Sequence, residues 1–143
     1  MQKLKISDLS VGDWVRWKWN DKTYRVCLID GVSLTVELAE EAGGTIEVAI
    51  DEVTGIPLTT EILKKNRLDF KDFAFQETTM LGRHIRRVSA SAQDQGWWIH
   101  VSIRKAGGHD FVDMVFAVDF IGQFVHELQH AIRLSGIEKE IEL

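Results

Sequence analysis

Residues 120–134 read FIGQFVHELQHAIRL, the longest stretch of the 143-residue chain in which apolar residues recur every three or four positions. That spacing places them on one side of an α-helix. Asp119 can cap the start of this helix and Gly136 can end it in a left-handed conformation, so the sequence predicts a helix over 120–135. Its apolar stripe, which includes Ile121, is expected to cover a small sheet.

The same helix contains His126-Glu127-x-x-His130, the spacing of two zinc ligands and a catalytic glutamate in zinc peptidases. At ~100° per residue, both histidines fall opposite the apolar stripe, which predicts that they face solvent. A zinc enzyme also needs a third ligand, and the positions after His130 hold Arg133 and Gly136, where the metzincin pattern has glycine and histidine. The preferred interpretation is no metal and no catalytic residue. The alternative is a zinc metallohydrolase with His126 and His130 as ligands and Glu127 as base.

Residues 1–56 predict a small antiparallel barrel, because short apolar runs alternate with Asn, Asp and Gly turns and show no helical period. The runs cover residues 13–19, 23–29, 32–38 and 45–50. The opening LSVGDWV, over 9–15, resembles the entry to SH3-like barrels of the KOW kind. Such barrels bind RNA, bind peptides or are purely structural, so this resemblance implies a fold and no particular activity.

Residues 57–143 predict an α+β unit. Thr59 can cap a short helix and Asn66 can end it. Apolar runs then predict an antiparallel sheet of about three strands, before the amphipathic C-terminal helix. The runs cover 84–90, 97–104 and 111–118. Residues 67–83 give no firm prediction, and the expected class of the whole chain is α+β.

The composition is that of a globular protein, with 45% hydrophobic residues, and no run approaches the ~18 apolar residues of a membrane span. The first residues lack the apolar stretch of a signal peptide. The single cysteine, Cys27, cannot form an internal disulfide and fits a reducing compartment. The sequence therefore predicts a cytoplasmic protein without a membrane partner.

A basic cluster near residue 85 is the candidate contact for phosphate groups. The net charge of -5 argues against binding nucleic acid over the whole surface, but a local patch of arginines beside stacking aromatic rings remains open. The other interpretation is a solvated strand whose basic residues prevent edge pairing. A nucleic-acid-binding module is kept as an alternative that is not favoured. Its site residues would be Arg83, Arg86, Arg87, Trp97 and Trp98.

Three segments together carry a wider resemblance: ISDLSVGDWV over 6–15, IPLTTEILKKN over 56–66 and FVHELQHAIRLSG over 124–136. They resemble a family of small proteins from prophages and mobile elements of gut Bacteroidales, which share such a junction and terminal helix. The resemblance implies a non-enzymatic accessory protein whose partner is another protein or a second copy. It also implies that the zinc motif is a coincidence within a structural helix, in which His126 serves packing.

Overall fold

The computed structural model describes residues 3–66, 74–79, 84–106 and 112–143. For residues 74–79, 84–85, 105–106 and 112–115 it describes the backbone alone. The chain forms two compact units, Met1–Pro57 with Phe124–His126, and Leu58–Gln123 with Glu127–Leu143. Antiparallel sheets and short helices make up both, which confirms the predicted α+β class. In the described ranges, no helix is long and apolar enough to cross a membrane.

The first unit contains a five-stranded antiparallel sheet in the order β4-β3-β2-β1-β5. Its strands are β1 (Trp14–Trp17), β2 (Thr23–Asp30), β3 (Thr35–Ala39), β4 (Thr45–Ala49) and β5 (Val53–Gly55). Two turns form where the sequence predicts them, because Asp21 and the Gly43-Gly44 pair adopt positive φ values. The predicted strand start at residue 32 is wrong: residues 31–34 form a turn in which Leu34 has a φ of 55°, and β3 begins at Thr35. That the sheet is SH3-like stays a prediction.

Alternation along β1 positions the core of the first unit. Val15 is fully buried, and Trp17 packs against the same cluster from the same face of the strand. The cluster consists of Leu4, Leu9, Val15, Val26, Val36, Leu38, Val48 and Val53. The predicted run over 13–19 is too long: β1 ends at Trp17, and Trp19, which would continue the Val15–Trp17 side of the strand, is 76% exposed.

The second unit contains a four-stranded antiparallel sheet in the order β6-β7-β8-β9. Its strands are β6 (Ala74–Thr79), β7 (His84–Gln93), β8 (Gly96–Ala106) and β9 (Val112–Gly122). The prediction of about three strands missed β6, which lies within residues 67–83, where no element was predicted. The described residues also form two α-helices, α1 (Thr60–Lys65) and α2 (Val125–Ser135).

Helix α1 forms as predicted. The Thr59 hydroxyl accepts a hydrogen bond from the backbone N–H of Ile62 at 3.3 Å, and Asn66 ends the helix. The buried Asn66 side chain then holds the C-terminal segment: its amide nitrogen donates to the Glu142 carbonyl at 2.8 Å, and its oxygen accepts from the Glu142 N–H at 2.9 Å.

Helix α2 begins at Val125, so the predicted start at residue 120 is wrong. Strand β9 continues through Gly122, because ten residues of β8 pair with it and satisfy its backbone. Asp119 and Ile121 therefore lie in a strand, where Asp119 cannot cap the helix and Ile121 is 53% exposed rather than part of the core. The C-terminal end is as predicted, with Gly136 at a φ of 78°.

Candidate functional site

The two faces of the four-stranded sheet differ in burial. On the inner face, Val88, Ala90, Ile99 and Val101 are fully buried. Both ends of helix α2 touch this face. At the start, a Cβ built on Gly122 would lie 3.6 Å from Glu127 Cβ, and at the end Arg86 hydrogen-bonds to Ser135. The helix therefore lies along the inner face.

The outer face carries the side chains of the alternate residues. Its described members are Arg87, Ser89, Ser91, Trp98, His100, Ser102, Arg104, Ala117, Asp119 and Ile121. Trp98 and Ile121 lie directly opposite one another and are 45% and 53% exposed. Arg104, Ala117 and Asp119 are also exposed, so this face is open at these positions, whereas Ser102 of β8 is 1% exposed.

Strand alternation separates the candidate nucleic-acid residues into two groups. Arg86 and Trp97 lie on the inner face, where Arg86 Nη1 donates to the Ser135 carbonyl at 2.6 Å and Trp97 Nε1 donates to the Leu58 carbonyl at 2.9 Å. Both side chains thus have structural roles. Arg87 and Trp98 lie on the outer face, and Arg83 is outside the described residues.

A His–Asp pair on the outer face was not among the residues that the sequence singled out for nucleic acid. His100 and Asp119 lie opposite one another in the register, and His100 Nδ1 is hydrogen-bonded to Asp119 Oδ1. This contact fixes the imidazole ring and directs Nε2 away from the carboxylate. The sequence alone did not reveal this pair, because Asp119 also fits the cap of a helix that starts at residue 120, and it is the pairing of β9 with β8 that places it in a strand.

The rings of Trp98 and His100 form a small aromatic surface. They follow each other on one side of β8, with ring centroids 6.5 Å apart and planes at 60°. The neighbouring hydroxyl side chains are Ser89 and Ser91 on β7, which are half-buried, and Ser102 on β8, which is buried. Two planar rings therefore share this face of the sheet with small polar residues, and Arg104 lies further along the same strand.

The zinc-motif residues are placed differently from the prediction. His126 is 3% exposed, so the expectation that it faces solvent is wrong; its ring stacks on Phe124 at 5.6 Å with planes 11° apart. The predicted apolar stripe included Ile121, which belongs to a strand rather than to the helix. The buried side of α2 also covers more of the helix surface than that stripe and includes His126 and Gln129. His130 is half-buried.

Glu127 makes a contact at the start of helix α2. Its Oε1 accepts a hydrogen bond from the backbone N–H of Gln123 at 3.0 Å, which stabilises the first turn in the manner of a capping box. Among the side chains that the structure describes, no group of three or more His, Cys, Asp or Glu residues could hold a metal ion. The zinc alternative with His126, His130 and Glu127 stays a prediction.

The outer face carries the kinds of group that recognise a planar, polar ligand. Aromatic rings provide stacking, hydroxyls and the imidazole provide hydrogen bonds, and the exposed guanidinium of Arg104 provides positive charge. No protein-family model, curated protein or solved structure matches the chain.

Proposed function

We propose that the protein is a non-catalytic binding module for single-stranded nucleic acid, and that the outer face of its four-stranded sheet is the recognition surface. The observation that carries the proposal is that the exposed Trp98 lies beside His100 on a sheet face that also carries serines. Single strands are commonly recognised on open antiparallel sheets by unstacked bases that lie against aromatic side chains.

The rings of Trp98 and His100 are one strand repeat apart and inclined at 60° to each other. Alternate residues of a strand lie about 7 Å apart, and the Trp98 and His100 centroids are separated by 6.5 Å. An aromatic side chain that stacks on a base contributes about 1–3 kcal/mol and accepts any base. We therefore expect binding with little sequence preference, centred on Trp98.

The local charge supports an anionic ligand more than the net charge does. Arg104 is exposed on the outer face and Arg87 lies half-buried on it, and the one described acid of this face, Asp119, is hydrogen-bonded to His100. The net charge of -5 opposes long-range attraction of a polyanion. The expected affinity is consequently modest, in the micromolar range, and depends on stacking as much as on phosphate contacts.

A protein ligand fits this face less well. Stable protein interfaces bury a continuous central patch that is rich in apolar and aromatic side chains. Among the described residues of the outer face, the large exposed apolar side chains are Trp98 and Ile121, and their neighbours are serines, Ala117 and charged groups. A few aromatic rings among small polar side chains favour a ligand whose bases stack on the rings.

The wider setting is part of the proposal. The resemblance to proteins of prophages and mobile elements supports an accessory role without catalysis, although the partner that it implies is a protein or a second copy; the predicted cytoplasmic location would give access to nucleic acid. The strand order β4-β3-β2-β1-β5, with a short 3-10 turn at Ile50–Glu52 before β5, supports an SH3-like assignment for the first sheet.

The test is fluorescence anisotropy with labelled oligo(U) and oligo(dT) of about 12 nucleotides, starting at about 50 mM salt. We expect binding that weakens as salt rises. Replacing Trp98→Ala should weaken it by about 5- to 150-fold, the equivalent of about 1–3 kcal/mol of stacking. Arg104→Gln should weaken binding and reduce its salt dependence.

Trp19→Ala is the matched control, because Trp19 is a highly exposed tryptophan of the first unit. Its affinity should equal that of the unmodified chain. An absence of binding at low salt would exclude the proposal. Equal losses in Trp98→Ala and Trp19→Ala would show that contacts are unspecific and that the outer face is not the site.

A further inference from the structure

Strand β9 combines length, exposure and an unusual composition for the last strand of a sheet. It has 11 residues and, among the described strands, pairs with β8 alone. Edge strands usually carry lysine or proline that prevents pairing with another chain, but residues 112–122 contain no Lys, Arg or Pro. Ile103 pairs with Phe116 and Arg104 with Met114, so β9 has one extra residue just before Phe116. From Phe116 to Gly122 the pairing with β8 is regular.

The inner face is incompletely covered along this strand. Ile99 and Val101 of β8 are fully buried, whereas their neighbours on β9, Phe120 and Val118, are half-buried. Phe116, next along the same side, is 37% exposed. An apolar row therefore remains accessible beside the free edge.

The sequence of this row is symmetric about Val118. Phe116, Val118 and Phe120 share the inner face, so the row reads Phe-Val-Phe in either direction. In an antiparallel pairing of two β9 strands centred on Val118, Phe116 of one chain lies opposite Phe120 of the other, twice. Aromatic cross-strand pairs stabilise sheets. On the outer face, Asp119 lies opposite Ala117, so the two carboxylates are not placed against each other.

We propose that a second copy of this chain pairs along β9, antiparallel and centred on Val118, which joins two four-stranded sheets into one continuous sheet. The contact is isologous, because the same segment contributes on both sides, and it closes after two copies. This inference does not depend on nucleic-acid binding.

The test is sedimentation equilibrium of the full chain over a concentration series. We expect a monomer–dimer equilibrium, and the dimer dissociation constant should rise at least tenfold in Phe116→Lys and in Phe120→Glu. An equimolar mixture of these two variants should regain dimers, because the lysine of one chain then lies opposite the glutamate of the other and the remaining phenylalanines still pair. A chain that is monomeric throughout, or a mixture that is not rescued, would overturn the proposal.

Ala117 supplies a test that does not alter the apolar row. Ala117→Glu places a carboxylate opposite Asp119 of the second copy and should weaken the dimer, most strongly at low salt, whereas Ala117→Lys should not weaken it. The Ala117 side chain is exposed, so both variants should fold. Equal dimer constants for the two variants, or assembly beyond two copies, would contradict the centred pairing.

Discussion

The guanidinium of Arg86 donates a hydrogen bond through Nη1 to the backbone carbonyl oxygen of Ser135, 2.6 Å away, and so joins β7 to the C-terminal end of α2. The last carbonyls of a helix lack partners and carry partial negative charge, which a cation compensates. A Cβ at Gly136 would collide with this guanidinium. The arginine and the glycine therefore form one structure that ends the helix.

Replacing Arg86→Met should lower the free energy of unfolding by about 1–3 kcal/mol, because a charge-assisted hydrogen bond to a half-buried carbonyl is lost. Urea unfolding measures the change. Arg104→Met is the matched control on the exposed part of the neighbouring strand and should change stability by less than about 0.5 kcal/mol. Equal effects of the two variants would contradict the structural role of Arg86.

Replacing Gly96→Ala should destabilise the β7–β8 hairpin that precedes Trp98. Gly96 has a φ of 135°, and a Cβ there would lie 2.7 Å from the carbonyl oxygen of Gly122. Backbone strain alone costs about 1–3 kcal/mol, and displacement of the β9 backbone adds to it. Thermal unfolding measures the loss. Gly31→Ala is the control, since nothing lies within 4 Å of its Cβ position and its φ is not positive, and it should have little effect.

Replacing Asn66→Ala should release the C-terminal segment. The side chain makes hydrogen bonds at 2.8 Å to Ile62 O, 2.8 Å to Glu142 O and 2.9 Å to Glu142 N. At about 1 kcal/mol each, their loss should lower the free energy of unfolding by about 3 kcal/mol. Asn20→Ala removes an exposed amide that donates to Tyr24 and should have a smaller effect. Faster carboxypeptidase cleavage in Asn66→Ala alone would support the clamp, and equal cleavage in both variants would contradict it.

Acid should reduce the contribution of Asp30 to stability. Its pKa lies below the ordinary value, chiefly because the backbone N–H of Ser33 donates to it, then the Ser33 hydroxyl and the N–H of Val32. A depressed folded-state pKa means that the stabilisation is complete above the unfolded value of about 3.9 and is lost as the pH falls through the folded value. The stability difference between the unmodified chain and Asp30→Asn should therefore shrink from neutral to acid pH in urea unfolding. A difference that grows in acid would contradict the sign.

The local chemistry of this chain was predictable from sequence, whereas the pairing between distant segments was not. Thr59 and Asn66 bound a helix through contacts within a few residues, so their types suffice. The start of α2 depends on strand β8, because β8 pairs with the chain up to Gly122 and so keeps these residues in a strand. The types of Ile121 and Phe124 alone also fit a helical period. Because the segment before Val125 was assigned to the helix instead of the strand, the His100–Asp119 pair was not predicted and the expected exposure of His126 was wrong.

The zinc motif gives the last prediction. We expect the chain, purified without a histidine tag, to contain far less than one zinc per chain, because His126 is buried against Phe124 and Glu127 already accepts a hydrogen bond from Gln123. Elemental analysis of the unmodified chain and of His130→Ala decides this, since stoichiometric zinc that disappears in the variant would restore the metallohydrolase interpretation. Glu127→Gln should lower the free energy of unfolding by about 0.3–1 kcal/mol, because a negative charge at the first turn of α2 is lost. Peptide hydrolysis by the unmodified chain that disappears in this variant would support the metallohydrolase interpretation, and its absence from both would contradict it.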